Sequence, residues 1–205
     1  MTKRLMWLPA VALGLALAGQ GAFYYHQEPT LTMTASWKHR PASVEEARDL
    51  AKAIVRAEVV SVAPDADLVV PAAGEPTGED RIPTQRVQVK VTKGYKGAVR
   101  DGQTLQIFQV GGKLLPTTPP DGKQGSRIEA KQLILEGDPL YKVGEEYVLM
   151  LEDGPRGALR PVAPEGRYKV ERGGAAVTAM VDNDATKAVQ GRGLAELERK
   201  LDKKP

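Results

Sequence analysis

The chain has 205 residues, enough for one sizeable domain with a tail or an anchor, and 41% of them are hydrophobic, as in ordinary globular proteins. It contains no cysteine, which excludes disulfide bonds, thiolate catalysis and thiolate metal sites. The formal charge of +3 comes from the first 42 residues, where four cations face one anion. The remainder is therefore neutral and lacks the basic character typical of a nucleic-acid binder.

The N-terminal 25 residues have the pattern of an export segment. Lys3 and Arg4 precede an apolar run from Leu5 to Ala18. One alternative is a signal peptide cleaved after Ala18; the other is a membrane anchor from Leu5 to Tyr25, with the cations inside and tyrosines at the far interface. Both predict a membrane or cell-envelope setting and an extracytoplasmic location for the rest of the chain.

The segment 26–42 is polar and aperiodic, which predicts a tether. Ser43 and Glu46 then have the spacing of a capping box, so a short helix is expected to start there. We assign residues 43–186 to one β domain and residues 187–205 to a C-terminal helix and tail. Leucines at helical spacing within 193–203 predict that helix.

The first strand is predicted around residues 55–62, where the apolar positions change phase at Val59-Val60. Such a phase change indicates a β-bulge. Pro64 to Pro83 follows and contains four prolines and two glycines, a composition that predicts a long loop.

The clearest pattern in the chain lies between Thr84 and Val110. Val87, Val89 and Val91 alternate with polar residues, which predicts a half-buried strand. A glycine-containing turn follows, and then a second apolar run, so the two strands are expected to pair as a hairpin.

Glycines and prolines in 111–125 predict another loop, and residues 128–136 fit either a short strand or a single helical turn. The run Glu145 to Leu151 is apolar on both faces, which is typical of a strand covered on both sides. Weaker strands are predicted at 159–162, 167–171 and 175–181.

Several short motifs carry a family resemblance. They are Ala53 to Val59, Val87 to Val91 leading to Tyr95-Lys96-Gly97, Leu105 to Gly112, and Leu140 to Tyr147. This order resembles a loose group of exported bacterial β-domains, and its layout is similar to netrin-like modules and tissue inhibitors of metalloproteinases. The resemblance implies a small OB-type barrel. The chain lacks the cysteines of the eukaryotic modules, so protease inhibition is not implied.

Together these patterns predict a mainly β protein, an OB-like five- or six-stranded barrel with a short N-terminal helix and a C-terminal helix. Catalytic signatures are missing from the sequence: no serine lies in a nucleophile elbow, and both histidines, His26 and His39, fall in the tether. No cofactor or metal is expected. Asp182-Asn183-Asp184 lacks the glycine and terminal carboxylate of a calcium loop and fits an Asx-rich turn better.

The predicted function is a non-catalytic extracytoplasmic interaction module with an unknown protein or cell-envelope partner and an open oligomeric state. Two alternatives remain: a hydrolase with an unrecognised carboxylate site, for which Glu145-Glu146 is the obvious pair, and a nucleic-acid-binding OB module, which needs exposed rings in a basic groove. The predicted partner contact is an apolar patch formed by two loops. Its residues are Leu68, Val69, Val70, Leu114 and Leu115.

Overall fold

The computed structural model describes residues 30–34, 37, 39–71, 79–114 and 132–202. The predictions of an anchor or a cleaved signal in residues 1–25 lie outside these ranges. Within the ranges, no helix is long and apolar enough to cross a membrane.

The described chain is mainly β, with a short helix before most of the sheet and another at its C-terminal end, as predicted. The helices are α1 (Val44–Leu50) and α2 (Leu194–Leu201). Across the described residues the strands are β1 (Thr30–Met33), β2 (Ala53–Pro71), β3 (Glu79–Lys96), β4 (Thr104–Lys113), β5 (Gln132–Leu135), β6 (Glu146–Asp153), β7 (Leu159–Pro161), β8 (Arg167–Val170) and β9 (Val177–Ala179).

The strands follow the order β1-β5-β4-β3-β2-β6-β8-β9. Strand β7 pairs antiparallel with β6, and it meets β4 through one parallel pair, Ile107 with Leu159. Strand β1 pairs in parallel with β5 and occupies four residues of the segment predicted as a tether. The strand alternative for residues 128–136 is confirmed by β5.

The predicted central hairpin is confirmed, with β3 and β4 in register from Thr84–Val110 to Lys90–Thr104. Val87 and Val89 are completely buried, whereas Lys90 is exposed. The predicted bulge is also present, because the β2–β3 register shifts between Val59 and Ser61. That shift leaves Val60 exposed and returns Val62 toward the core.

Two apolar cores lie on the two faces of β6. Tyr147, Leu149 and Leu151 belong to a core shared with β2, β3 and β4, and Val148 and Met150 belong to a second core that includes residues of the helices. This arrangement explains why the strand is apolar at consecutive positions, and it confirms the prediction of a strand covered on both sides.

Side-chain contacts fix both helices. The Ser43 hydroxyl caps α1 by accepting from the Glu46 amide at 3.1 Å, as the capping box predicts, while the Glu46 carboxylate accepts from the Ala42 amide at 2.7 Å. The leucines of α2 are buried. On its outer side, Glu198 accepts hydrogen bonds from Tyr95 and Lys93.

The prediction of a loop from Pro64 to Pro83 is wrong for residues 64–71 and 79–83, because β2 continues to Pro71, β3 begins at Glu79, and the two remain paired. The predicted loop residues 72–78 lie outside the described residues. The loop predicted from residue 111 is wrong for its first three residues, which belong to β4 and pair with β5. Gly111 permits this pairing: its φ is +111°, and a Cβ there would lie 2.7 Å from the Leu133 carbonyl oxygen.

Candidate functional site

The most prominent feature outside the two cores is an extension of the β2–β3 hairpin, which we call the ribbon (64–71 and 79–83). The β2–β6 ladder ends at Glu58–Glu146, and the β3–β4 ladder ends at Thr84–Val110. Beyond these pairs, β2 and β3 pair only with each other among the described strands. An isolated two-stranded ribbon is marginally stable in water, so other contacts must hold it.

The register places the apolar side chains of the ribbon on different faces. Leu68 lies opposite Ile82 and Val69 opposite Arg81. Because side chains alternate along a strand, Leu68, Val70 and Ile82 share one face, and Val69 lies on the other. The first three are partly exposed and Val69 is 50% exposed. The predicted run of three residues is therefore split between two surfaces.

The base of the ribbon contains a second bulge, where Ala66 and Asp67 lie opposite Pro83. Proline has no N–H to donate across the ladder. The carbonyl oxygens at the bulge find other donors: Arg156 Nη1 lies 2.6 Å from the Ala66 oxygen, and Nη2 lies 3.2 Å from the Asp67 oxygen. The Thr84 hydroxyl also donates to Ala66, at 2.9 Å.

Asp65 adds ion pairs at the same place. Its carboxylate lies 3.2 Å from Arg86 Nη2 and 3.3 Å from Arg156 Nη1. The pKa of Asp65 lies below its usual value. A hydrogen bond from the Ala66 backbone lowers it most, and hydrogen bonds from the two arginines also lower it, while burial acts in the opposite direction. The charged carboxylate thus links β2, β3 and the turn after β6.

Arg156 adopts an unusual backbone conformation to make these contacts. Its φ is +56°, and no other non-glycine residue in the described ranges has a positive φ. A side chain in this left-handed region costs about 1 kcal/mol. Its guanidinium also lies over the Phe108 ring, 6.0 Å from the centroid. The turn is therefore shaped so that Arg156 reaches the ribbon.

The second half of the predicted patch is only partly described. Leu114 directly follows β4, is partly buried, and lies beyond the same end of the β3–β4 ladder as the ribbon. Leu115 lies outside the described residues. The chain therefore places Leu114 and the ribbon on the same end of the sheet.

The carboxylates considered for hydrolysis are held in separate ion pairs. Glu146 binds Arg56 through two hydrogen bonds of 2.7 Å. Glu145 accepts from Lys169 at 2.8 Å and from the Tyr147 hydroxyl at 2.5 Å. Both line an open cleft of about 540 Å³ between the start of β6 and the end of β8. A general acid and base need free, converging carboxyl groups, which this geometry does not provide.

A buried polar network extends from this cleft into the interior. Arg167 is fully buried and donates to the Tyr147 hydroxyl at 3.1 Å and to Asp138 at 2.7 Å. Its guanidinium carbon lies 3.5 Å from the centroid of the Tyr141 ring. Burial raises the pKa of Asp138 and outweighs the attraction of the guanidinium. Nothing in the local sequence signalled that Arg167 is a core residue.

A second buried charge fastens the segment before α1. Glu165 is completely enclosed, and its carboxylate accepts from Arg40 at 3.2 Å and from the Asn183 amide at 2.8 Å. The Asn183 side-chain oxygen in turn accepts from the Thr186 amide, as in the Asx turn predicted there.

In the described part of the chain, no group of three or more His, Cys, Asp or Glu side chains could hold a metal ion. The strand aromatics Phe108, Tyr147 and Tyr168 are buried and so offer no stacking surface for bases. No protein-family model matches the chain, and no curated protein matches it in sequence.

Proposed function

We propose that the protein is a non-catalytic extracytoplasmic interaction module that binds a protein or cell-envelope partner through the ribbon. The observation that carries this proposal is the continuation of β2 and β3 past their last pairs with β6 and β4, where they pair only with each other among the described strands and leave apolar side chains partly or half exposed. An exposed apolar surface on a stiff projection is costly in water unless a partner covers it.

We infer that β2, β3, β4, β7 and β6 form an OB-type barrel. The ring of pairings supports this: each strand pairs with the next, the Ile107–Leu159 pair joins β4 to β7, and β6 pairs back with β2. The apolar core of valines from β2 and β3 with Leu149 and Leu151 would fill it. In OB-type barrels the loop between the first two strands borders the usual ligand face, and the ribbon occupies that position.

The extracytoplasmic location is inferred from the N-terminal sequence alone, in which two cations precede an apolar run. Because the chain has no cysteine, packing and ion pairs must hold the exported domain together without disulfides. Export by either route, anchored or cleaved, would present the ribbon to envelope components.

The test is site-specific photo-cross-linking in intact cells. A photoreactive residue at Val69 should give a discrete adduct with one protein. The matched control is Val143, which is more exposed than Val69 (64% against 50%) but lies in the turn before β6. Adducts at Val143 and none at Val69 or at Val70, which lies on the other face of the ribbon, would contradict the proposal. A smear of products that is the same at Val143 and in the ribbon would also contradict it.

A further inference from the structure

We propose that the partner surface recognised by the ribbon is a basic protein surface with apolar side chains between its cations, contacted through side chains and not by strand addition. This inference rests on the proposed function and names the chemistry of the partner. Three features of the ribbon carry it: its charge, its apolar face and its blocked edges.

The ribbon and the segment that connects its two strands are strongly acidic. Together, residues 64–83 contain five carboxylates and a single cation, Arg81. Asp65 is neutralised by two arginines at the base. Asp67, Glu79 and Asp80 are exposed, and no ion pair forms on them within the described residues. Carboxylates that are not used for folding attract a complementary cationic surface and steer its approach.

One exposed carboxylate, Asp80, shares the apolar face of the ribbon. It lies directly opposite Val70, and Leu68 lies opposite Ile82 on the same face, whereas Glu79 lies opposite Pro71 on the other face. Partly exposed apolar side chains beside a charged group have the composition of a small protein interface. A bare polycation would use the charges but not this apolar face, so the partner must supply apolar contacts as well.

The edges of the ribbon disfavour the addition of another strand. The β2 half of the ribbon contains Pro64, Pro71 and a bulge, and the β3 half contains Pro83. Prolines and bulges are devices by which natural sheets block edge pairing. The partner is therefore recognised through the side chains on the faces of the ribbon.

The net charge of the rest of the chain makes the attraction of a cationic partner selective for the ribbon. Because the whole chain is +3, the residues outside 64–83 carry a net charge of +7. A cationic partner is therefore repelled by the net charge of the rest of the chain and attracted by the ribbon. This contrast also distinguishes the proposed binding from the non-specific attraction of a basic partner to any acidic protein.

The test uses three fluorescent peptides in which leucine alternates with lysine, serine or glutamate. The full chain should bind the lysine peptide most tightly, with an affinity that falls as salt is added. The variant Asp80→Lys should weaken that binding by about fivefold or more. Glu58→Lys is the matched control, since it makes the same charge change at an exposed position of β2 outside the ribbon, opposite Lys90 of β3, and should leave the affinity within about twofold.

Equal binding of the lysine and glutamate peptides, no binding of the lysine peptide, or equal losses in the Asp80 and Glu58 variants would overturn the proposal. The cross-linking experiment, repeated with the photoreactive residue at Val70 on the face of Asp80, separates this failure from that of the proposed function. If Val70 captures a partner and Asp80→Lys does not reduce the adduct, the ribbon is a contact surface but its partner is not cationic. If neither Val69 nor Val70 captures a partner, the function itself is wrong.

Discussion

Arg156 Nη1 lies 2.6 Å from the carbonyl oxygen of Ala66, joining the turn after β6 to the base of the ribbon 90 residues earlier in the chain. This contact compensates for Pro83, which cannot donate across the bulge. It also explains why a residue with a costly positive φ is retained at position 156. The orientation of the ribbon therefore depends on a side chain outside it.

Replacing Arg156 with alanine should loosen the ribbon without unfolding the domain. The variant leaves two carbonyl oxygens and Asp65 with fewer donors, at a cost of about 1–3 kcal/mol. Amide hydrogen exchange of residues 68–71 and 79–82 should become faster, while exchange in β6 stays slow. Arg160→Ala, which removes an exposed pair with Glu152, is the control. Unchanged exchange in the ribbon of Arg156→Ala would show that the clamp is unimportant.

Arg156→Gly should be less destabilising than Arg156→Ala, because glycine adopts a positive φ without strain. Both variants lose the clamp, so the difference in their free energies of unfolding, about 1 kcal/mol, isolates the backbone cost. Denaturant unfolding of the two proteins provides the comparison. Equal stability of the two would mean that position 156 is not strained.

Val89→Asp should unfold the domain, since Val89 is completely buried among apolar side chains and an unpaired carboxylate there costs several kcal/mol. The neighbouring Lys90→Ala should be nearly silent, because Lys90 is exposed and forms no ion pair in the described part of the chain. Melting temperatures of the two variants test the inward and outward assignment. A folded Val89→Asp protein would contradict it.

The sequence was informative wherever local periodicity determined the structure. Alternation identified the β3–β4 hairpin, the phase change at Val59-Val60 identified a bulge, and consecutive apolar residues identified β6 as covered on both faces. Each of these patterns reports which side of one strand is buried, a property encoded within a few residues.

The failures involve contacts between distant segments. Prolines at 64, 71 and 83 suggested a loop, but prolines are tolerated at the free edge of a sheet, and Arg156 supplies the donors that are missing opposite Pro83. Strand β1 depends on β5, about 100 residues later. The burial of Arg167 depends on Asp138 and two tyrosines, so no local pattern distinguishes it from a surface arginine.

The Glu145 network should make stability depend on pH. Burial opposes the charge of Glu145, but hydrogen bonds from Lys169 and Tyr147 outweigh it and lower its pKa below the ordinary 4.5. A lowered pKa means that this contribution is fully present above 4.5 and is lost as the pH falls through the folded-state value. Glu145→Gln should therefore be less stable than wild type at pH 7, by about 1–2 kcal/mol.

The difference between Glu145→Gln and wild type should shrink as the pH falls below 4.5. Urea unfolding across this range measures it. Glu58→Gln, at an exposed side chain with no hydrogen-bond partner among the described residues, is the control. If the stability difference of Glu145→Gln stays the same at every pH, the carboxylate does not contribute through its charge.

The domain after Ser43 is expected to face the extracytoplasmic side, whichever export alternative holds. A reporter that is active only outside the cytoplasm, fused after Pro205, should be active. Activity from a reporter restricted to the cytoplasm would contradict this. The N-terminal residue of the purified protein distinguishes cleavage after Ala18 from retention of the anchor.

The most direct test of the ribbon as a contact surface is the combined replacement of Leu68, Val69 and Val70 by serine. The measurement is how much of the partner, identified by cross-linking to the ribbon of the wild type, the variant still captures. These residues are partly or half exposed and belong to neither core. Capture should be lost while the melting temperature stays within a few degrees of wild type. Capture at wild-type levels, or a variant that melts far lower or does not fold, would contradict the ribbon's assignment as an interaction surface.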